Sequence, residues 1–181
     1  MKSIIYLIIS TILFGAIIRG QSGPKFKQQI LISAAGQSAD TKLAGIIFKK
    51  LKLDAKENNN AKPGDLNGIK TLVIVPGFSS KGLGAAGISQ EQEMNRVKEL
   101  IIAANQKNIP IVCVHIGGNA RRKGQSDDFN KYVAENSKYI IVVKQGDEDK
   151  FFSNIASQKN VPIKLVEKIL DISNPLASIF E

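Results

Sequence analysis

The chain of 181 residues contains one cysteine, one histidine and no tryptophan. The lone Cys113 excludes an internal disulfide and any metal cluster built from cysteines. It lies inside the apolar run Ile111–His115 and reads as a buried core thiol. The lone His115 excludes a histidine-rich metal site. A single ion held by His115 with Asp40 or Asp127 stays open, but no metal is assigned. Aromatic residues make up only 6% of the chain and do not interleave with lysines, so the stacking platform of a single-strand binder is missing. Acidic residues are outnumbered, 16 against 25 basic ones, for a formal charge of +9. The lysines gather on and after one helix (Lys42, Lys49, Lys50, Lys52, Lys56) or stand singly, which reads as a solvated basic surface. No nucleic-acid partner is expected. There is no internal repeat. The length suits one domain with a sizeable core.

The first segment has its own composition. Met1-Lys2-Ser3 is a short basic start, Ile4 to Ile18 is almost purely apolar, and small residues follow at Gly20, Ser22 and Gly23. That is the layout of a signal peptide over residues 1–22. The apolar run falls short of the roughly twenty residues needed to span a bilayer core. Arg19, just past the run, is unusual for an export signal, so an uncleaved membrane anchor is the alternative. Without a cysteine here, a lipoprotein is excluded. The expectation is an exported protein, periplasmic or secreted, with a single domain over 23–181 that touches a membrane only through this segment.

The rest alternates strand and helix. Apolar, β-branched runs without polar alternation predict strands at Ile30–Ala34, Thr71–Val75, Ile111–Ile116, Tyr139–Val143 and Pro162–Val166, with a short edge strand near Leu53–Ala55. Between them, helical spacing predicts five helices. One starts after Ser38 as N-cap, with Leu43, Ile46, Ile47, Phe48 and Leu51 inward. One starts at the capping box Ser89–Gln92, one after Ser126, one after Asp147, and a short one at Asn174-Pro175. This pattern predicts an α/β fold of three layers, a doubly wound and mostly parallel sheet of five or six strands. The expected order is flavodoxin/Rossmann-like, 2-1-3-4-5 with a sixth strand.

In such a sheet, every loop that leaves a strand for a helix lies on one edge, where ligands bind. The loops expected there are the specialised ones. They are Ala35-Gly36-Gln37-Ser38, then Gly77 to Gly87, then Gly117 to Gln125, then Gln145-Gly146-Asp147. The stretch Gly82-Leu83-Gly84-Ala85-Ala86-Gly87 matches G-x-G-x-x-G, but its glycines begin well past Val75 and no acid ends the next strand, so a dinucleotide fingerprint is not supported. A Walker loop fails because Lys81 precedes Gly82 and no hydroxyl follows the lysine. What is left is a cradle for a small anionic ligand. Its expected members are Gly36, Gln37, Ser38, Lys81, Gly82, Gly84, His115, Gly117, Gly118 and Arg121, with no cofactor assigned. Arg121 and Arg122 can clamp a carboxylate or phosphate, or pair with Asp127 and Asp128. The alternative is a hydrolase or transferase in which Ser79 or Ser80 attacks, His115 takes the proton and Asp40 or Asp127 orients the ring. A third reading is an envelope protein whose edge loops contact a macromolecule.

Three stretches in combination resemble a known family. They are Ser33 to Asp40, Ser80 to Gly87, and His115-Ile116-Gly117-Gly118 with Arg121-Arg122 and Ser126-Asp127. They look like the motifs of DUF6305, an exported bacterial family of unknown function. The resemblance implies an exported single domain with a doubly wound fold. It brings no activity, substrate or catalytic residue.

Overall fold

Six segments become strands: the four central ones are apolar runs buried on both faces, which β-branched side chains suit, and the two edge strands are shorter and more exposed. They are β1 (Ile30–Ala35), β2 (Ala55–Glu57), β3 (Thr71–Pro76), β4 (Ile111–His115), β5 (Tyr139–Val143) and β6 (Ile163–Val166). The computed structural model describes residues 23–181, and the signal peptide expected over residues 1–22 lies outside them. All strand pairings are parallel and the order is β2-β1-β3-β4-β5-β6. This is the doubly wound α/β order expected from the sequence, with the sixth strand present.

Helices α1 (Asp40–Lys50) and α6 (Ser173–Ile179) cover one face of the sheet, packing Ala44, Ile47, Phe48, Leu176 and Ile179 on Val73, Val75, Val112 and Val114. Helices α3 (Gln90–Gln106), α4 (Gln125–Glu135) and α5 (Phe151–Lys159) cover the other, packing Val97, Leu100, Phe129, Val133 and Phe152 on Leu72, Ile74, Ile111 and Ile140. Alternate residues of each central strand therefore serve opposite cores, as a two-residue side-chain period requires. Among the described residues, no helix is long and apolar enough to cross a membrane.

Several local expectations change. The glycine stretch after β3 is not an open loop: Ser80–Ala86 forms helix α2. Glycine is a poor helix former, but this turn is capped at both ends. The Ser79 hydroxyl accepts from the Gly82 N–H at 3.1 Å, and Gly87 closes it in the left-handed region at φ 67°. Ser38 does not cap α1. Ala39 holds that position, and the Ser38 hydroxyl donates to Asp40 Oδ2 at 3.0 Å. Ser126 sits inside α4, whose cap is Gly124, and accepts from the Phe78 N–H at 3.3 Å. Asp147 serves α5 from outside its cap, since its Oδ1 accepts from the N–H groups of Phe152 and Ser153 at 2.7 and 3.1 Å. The edge strand lies two residues later than expected, at Ala55–Glu57. Ser89 and Gln92 do form the reciprocal capping box that opens α3.

Candidate functional site

The strand order reverses between β1 and β3, and the loops leaving these two strands meet there. Gly36 lies at φ 98°, where a side chain is strained, and a Cβ on it would come within 2.7 Å of the Gly77 carbonyl oxygen. Gln37, also in the left-handed region at φ 59°, forms an antiparallel bridge with Phe78, and the Ser79 N–H donates to the Gly36 carbonyl at 2.8 Å. A Cβ on Gly82 would collide with the Gln37 carbonyl. The glycines of this edge thus let one loop lie against the next. The Gly82 N–H, expected to cradle an anion, is occupied by its bond to Ser79.

Beneath these loops lies a buried ion pair. Glu93, in the first turn of α3, has no exposed surface, and the Arg96 side chain is only 10% exposed. Arg96 Nε donates to Glu93 Oε2 at 2.7 Å, and its Nη2 donates to Glu93 Oε1 at 2.8 Å. The guanidinium also donates to the carbonyls of Ala34 at 2.7 Å and Ala61 at 2.8 Å. Glu93 Oε1 accepts in addition from the Gly36 N–H at 2.9 Å and the Gln37 side-chain amide at 3.1 Å. That amide also reaches Asn60 Oδ1 at 2.8 Å. One helix turn thereby ties down the end of β1, the loop after it and the segment after β2. The sequence carried a trace of this. Glu93 stands in register with Val97, Leu100 and Ala104, so an acid occupies the apolar stripe of α3.

A second arginine is also committed. Arg122, with its side chain 4% exposed, bonds Asp127 at 2.8 Å and Asp149 at 2.8 Å, donates to the Gly146 carbonyl, and lies 4.3 Å from the centroid of the Phe151 ring. Burial opposes the charge of Asp127, but bonds from Arg122 and Asn130 outweigh it and hold its carboxyl below the usual range. The third arginine is looser. Arg121 Nη1 donates to the Phe78 carbonyl at 3.2 Å and its Nε stands 3.5 Å from Asp40 Oδ2, with the side chain 30% exposed. It lies against Gly77 and Gly117, where added Cβ atoms would meet its methylenes.

His115 is fully buried at the end of β4, 4.7 Å from the Phe152 ring between centroids. Its Nε2 donates to the Gly118 carbonyl at a long 3.4 Å, and its Nδ1 has no partner. Burial lowers its pKa to about 4, with the nearby Arg122 cation adding to the effect and the Gly118 bond opposing it. Ser79 and Ser80 make no hydrogen bond to it. Ser79 spends its oxygen as the cap of α2 and Ser80 is exposed at the first helical position, so the serine–histidine arrangement considered from the sequence is not assembled. Burial pushes the Cys113 thiol up, as befits a core thiol. Among the described residues, no three histidine, cysteine, aspartate or glutamate side chains converge as metal ligands.

The expected residues therefore fall into two groups. Gly36, Gln37, Ser38, Gly82, Gly117, Gly118 and His115 form the packed frame of the edge. Ser80, Lys81, Gly84 and part of Arg121 face outward from it, and Lys81 forms no ion pair among the described residues.

Residues 27–180 match DUF6305, a domain of unknown function, and the chain belongs to that family. No curated protein matches it. Among solved structures it is similar to the esterase AlinE4 of the SGNH-hydrolase family, at 13% identity and a TM-score of 0.30. It is also similar to two mutants of AlinE4, at 12% identity and TM-scores of 0.32 and 0.30. Each likeness covers 83% of this chain and 79% of the other. At that level the overlap says nothing about the chemistry of this site.

Two outcomes are expected. Arg96→Ala strands a buried carboxylate and should cost about 3–5 kcal/mol in denaturant unfolding, whereas replacing Glu93 and Arg96 together by leucine should cost less than that single change. A loss under about 1 kcal/mol for Arg96→Ala would show the pair to be incidental. The second outcome concerns pH. The folded pKa of His115 lies below its ordinary 6.5, so the unfolded chain takes up the proton first. Stability should fall between pH 6.5 and about 4, by at most about 3 kcal/mol, and level off below. His115→Phe should flatten that slope.

Proposed function

We propose that this DUF6305 domain works outside the cytoplasm and binds a small anionic ligand, phosphate- or carboxylate-bearing, at the carboxyl edge of its sheet. The export half of the reading rests on the layout of residues 1–22, a basic start, an apolar run and small residues before Gly23. The ligand half rests on one contrast. Arg96 and Arg122 spend their guanidinium groups on carboxylates and carbonyls, whereas Arg121 keeps donors free beside the crevice between β1 and β3. A guanidinium has five N–H donors in a planar fork that suits a carboxylate or phosphate.

Lys81, exposed in the first turn of α2, supplies a second positive charge, and Ser80 beside it supplies a hydroxyl. The frame of Gly36, Gln37, Ser38, Gly82, Gly117, Gly118 and His115 holds the loops that carry these groups. Asp40 makes the site selective. Its carboxylate already stands 3.5 Å from the Arg121 Nε, so an incoming anion must compete with it.

A panel of phosphates, carboxylates and nucleotides in a thermal-shift assay tests the reading. A bound anion at one hundred times its dissociation constant should stabilise the domain by about 2.7 kcal/mol. Lys81→Ala and Arg121→Ala should each weaken that shift, and Asp40→Asn should strengthen it by removing the competing charge. No shift across the panel, or equal shifts in all variants, would end it.

A further inference from the structure

The two edges of the sheet differ in charge. Acidic residues cluster where the helices begin, on the carboxyl edge, as with Glu91 and Glu93 of α3 or Asp127 and Asp128 of α4. The opposite edge, where the strands begin, is lined with lysine. Lys49 and Lys50 end α1, and Lys27, Lys52, Lys70 and Lys138 precede β1, β2, β3 and β5. All six are exposed, and none forms an ion pair among the described residues. Lysine at a helix end complements the helix dipole, which accounts for Lys49 and Lys50. It does not account for Lys27 and Lys70, which follow no α-helix, whereas Lys52 and Lys138 stand one and two residues past the caps of α1 and α4.

Three of these four are tied to a neighbouring strand by hydrogen bonds, and Lys52 is tied to the end of α1. The Lys70 N–H donates to the Gln29 carbonyl at 3.0 Å, the Thr71 hydroxyl donates to the Lys27 carbonyl at 2.7 Å, and the Lys138 N–H donates to the Ile111 carbonyl at 2.7 Å. From β2 to β5 is four strand spacings, a reach of about 19 Å. The acids on this edge are Asp54, Glu135 and Glu181, and Glu135 already pairs with Lys131. A row of unneutralised lysines that long fits an extended anionic surface better than one small ligand. The chain also enters the domain here. Phe26 bridges to Phe180 just before β1, so the polypeptide arriving from the apolar run Ile4–Ile18 and Arg19 reaches the fold at the lysine edge.

We infer that the amino edge of the sheet docks on an anionic lipid surface, in an orientation that turns the carboxyl edge and its candidate site away from the bilayer. Each lysine near such a surface adds to the attraction, and the attraction fades within a Debye length. Among the described residues both cores are built between Phe26 and Phe180, and the lysine edge belongs to them, so residues 23–181 carry the surface to be tested.

Co-sedimentation of residues 23–181 with vesicles tests this. The domain should bind vesicles of phosphatidylglycerol with phosphatidylcholine, ignore vesicles of phosphatidylcholine alone, and be released by salt. Replacing Lys27, Lys52, Lys70 and Lys138 by glutamine should lower the partition coefficient about tenfold or more. The same change at Lys123, Lys144, Lys150 and Lys168 on the carboxyl edge should leave it nearly unchanged. Circular dichroism of both variants confirms that each is folded. Equal binding to the two vesicle types, equal loss in the two variants, or tighter binding to an oligonucleotide than to the phosphatidylglycerol vesicles would overturn the inference.

Discussion

The ion pair between Glu93 and Arg96 is the constraint on which the carboxyl edge depends. Taking two charges out of water costs several kcal/mol per ion unless their lone pairs and protons are satisfied. Here they are. Glu93 accepts from Arg96, Gly36 and Gln37, while Arg96 also donates to Ala34 and Ala61. The pair therefore does more than join two residues of one helix turn. It supplies partners to a backbone that leaves β1 in an unusual conformation, with Gly36 and Gln37 both at positive φ. Such a backbone persists only where its surroundings over-determine it. With that loop held, the loop after β3 can lie against it at the distance of a missing Cβ. The first turn of α2 then stands in a set position, with Lys81 in it.

Much of this was legible beforehand, and the reasons are physical. Strands buried on both faces leave long β-branched runs, so the central strands could be read from Ile30, Thr71, Ile111 and Tyr139 onward; their order could not be read from the runs and was expected only from the alternation of strand and helix. The capping box at Ser89 was legible because its two residues answer each other at fixed spacing. The stretch from Gly77 to Gly87 misled because glycine marks both loops and close approach. A seven-residue helix of one serine, one lysine, one leucine, two glycines and two alanines carries little propensity signal, and its caps and the buried Leu83 hold it. Ser38 and Ser126 looked like caps but bond elsewhere, one to Asp40 and the other to Phe78. Glu93 escaped because a lone acid on an apolar stripe reads as the exposed first turn of a helix. Arg96 stands one turn along the same helix, but the other partners of Glu93, Gly36 and Gln37, reach it only once β1 lies beside α3.

The chain's charge acquires a meaning that composition alone did not supply. A surplus of lysine first read as a solvated surface. The parallel topology sorts it, because the strand starts and the ends of the crossover helices fall on one edge. The carboxyl edge is mixed in sign and holds its arginines in carboxylate company, Arg121 least of all. The amino edge is plainly basic. The small anion proposed for the first would compete with Asp40, and the anionic surface proposed for the second would meet lysines that form no ion pair among the described residues.

Backbone amide chemical shifts followed by NMR during a titration with inorganic phosphate test the central claim most directly. The account predicts that the shifts concentrate at Ser80, Lys81 and Gly82 and at Gly117 to Arg121, with smaller changes at Gly36 and Gln37. Shifts confined to the lysines before β1, β2, β3 and β5, with none near Lys81 and Arg121, would contradict it.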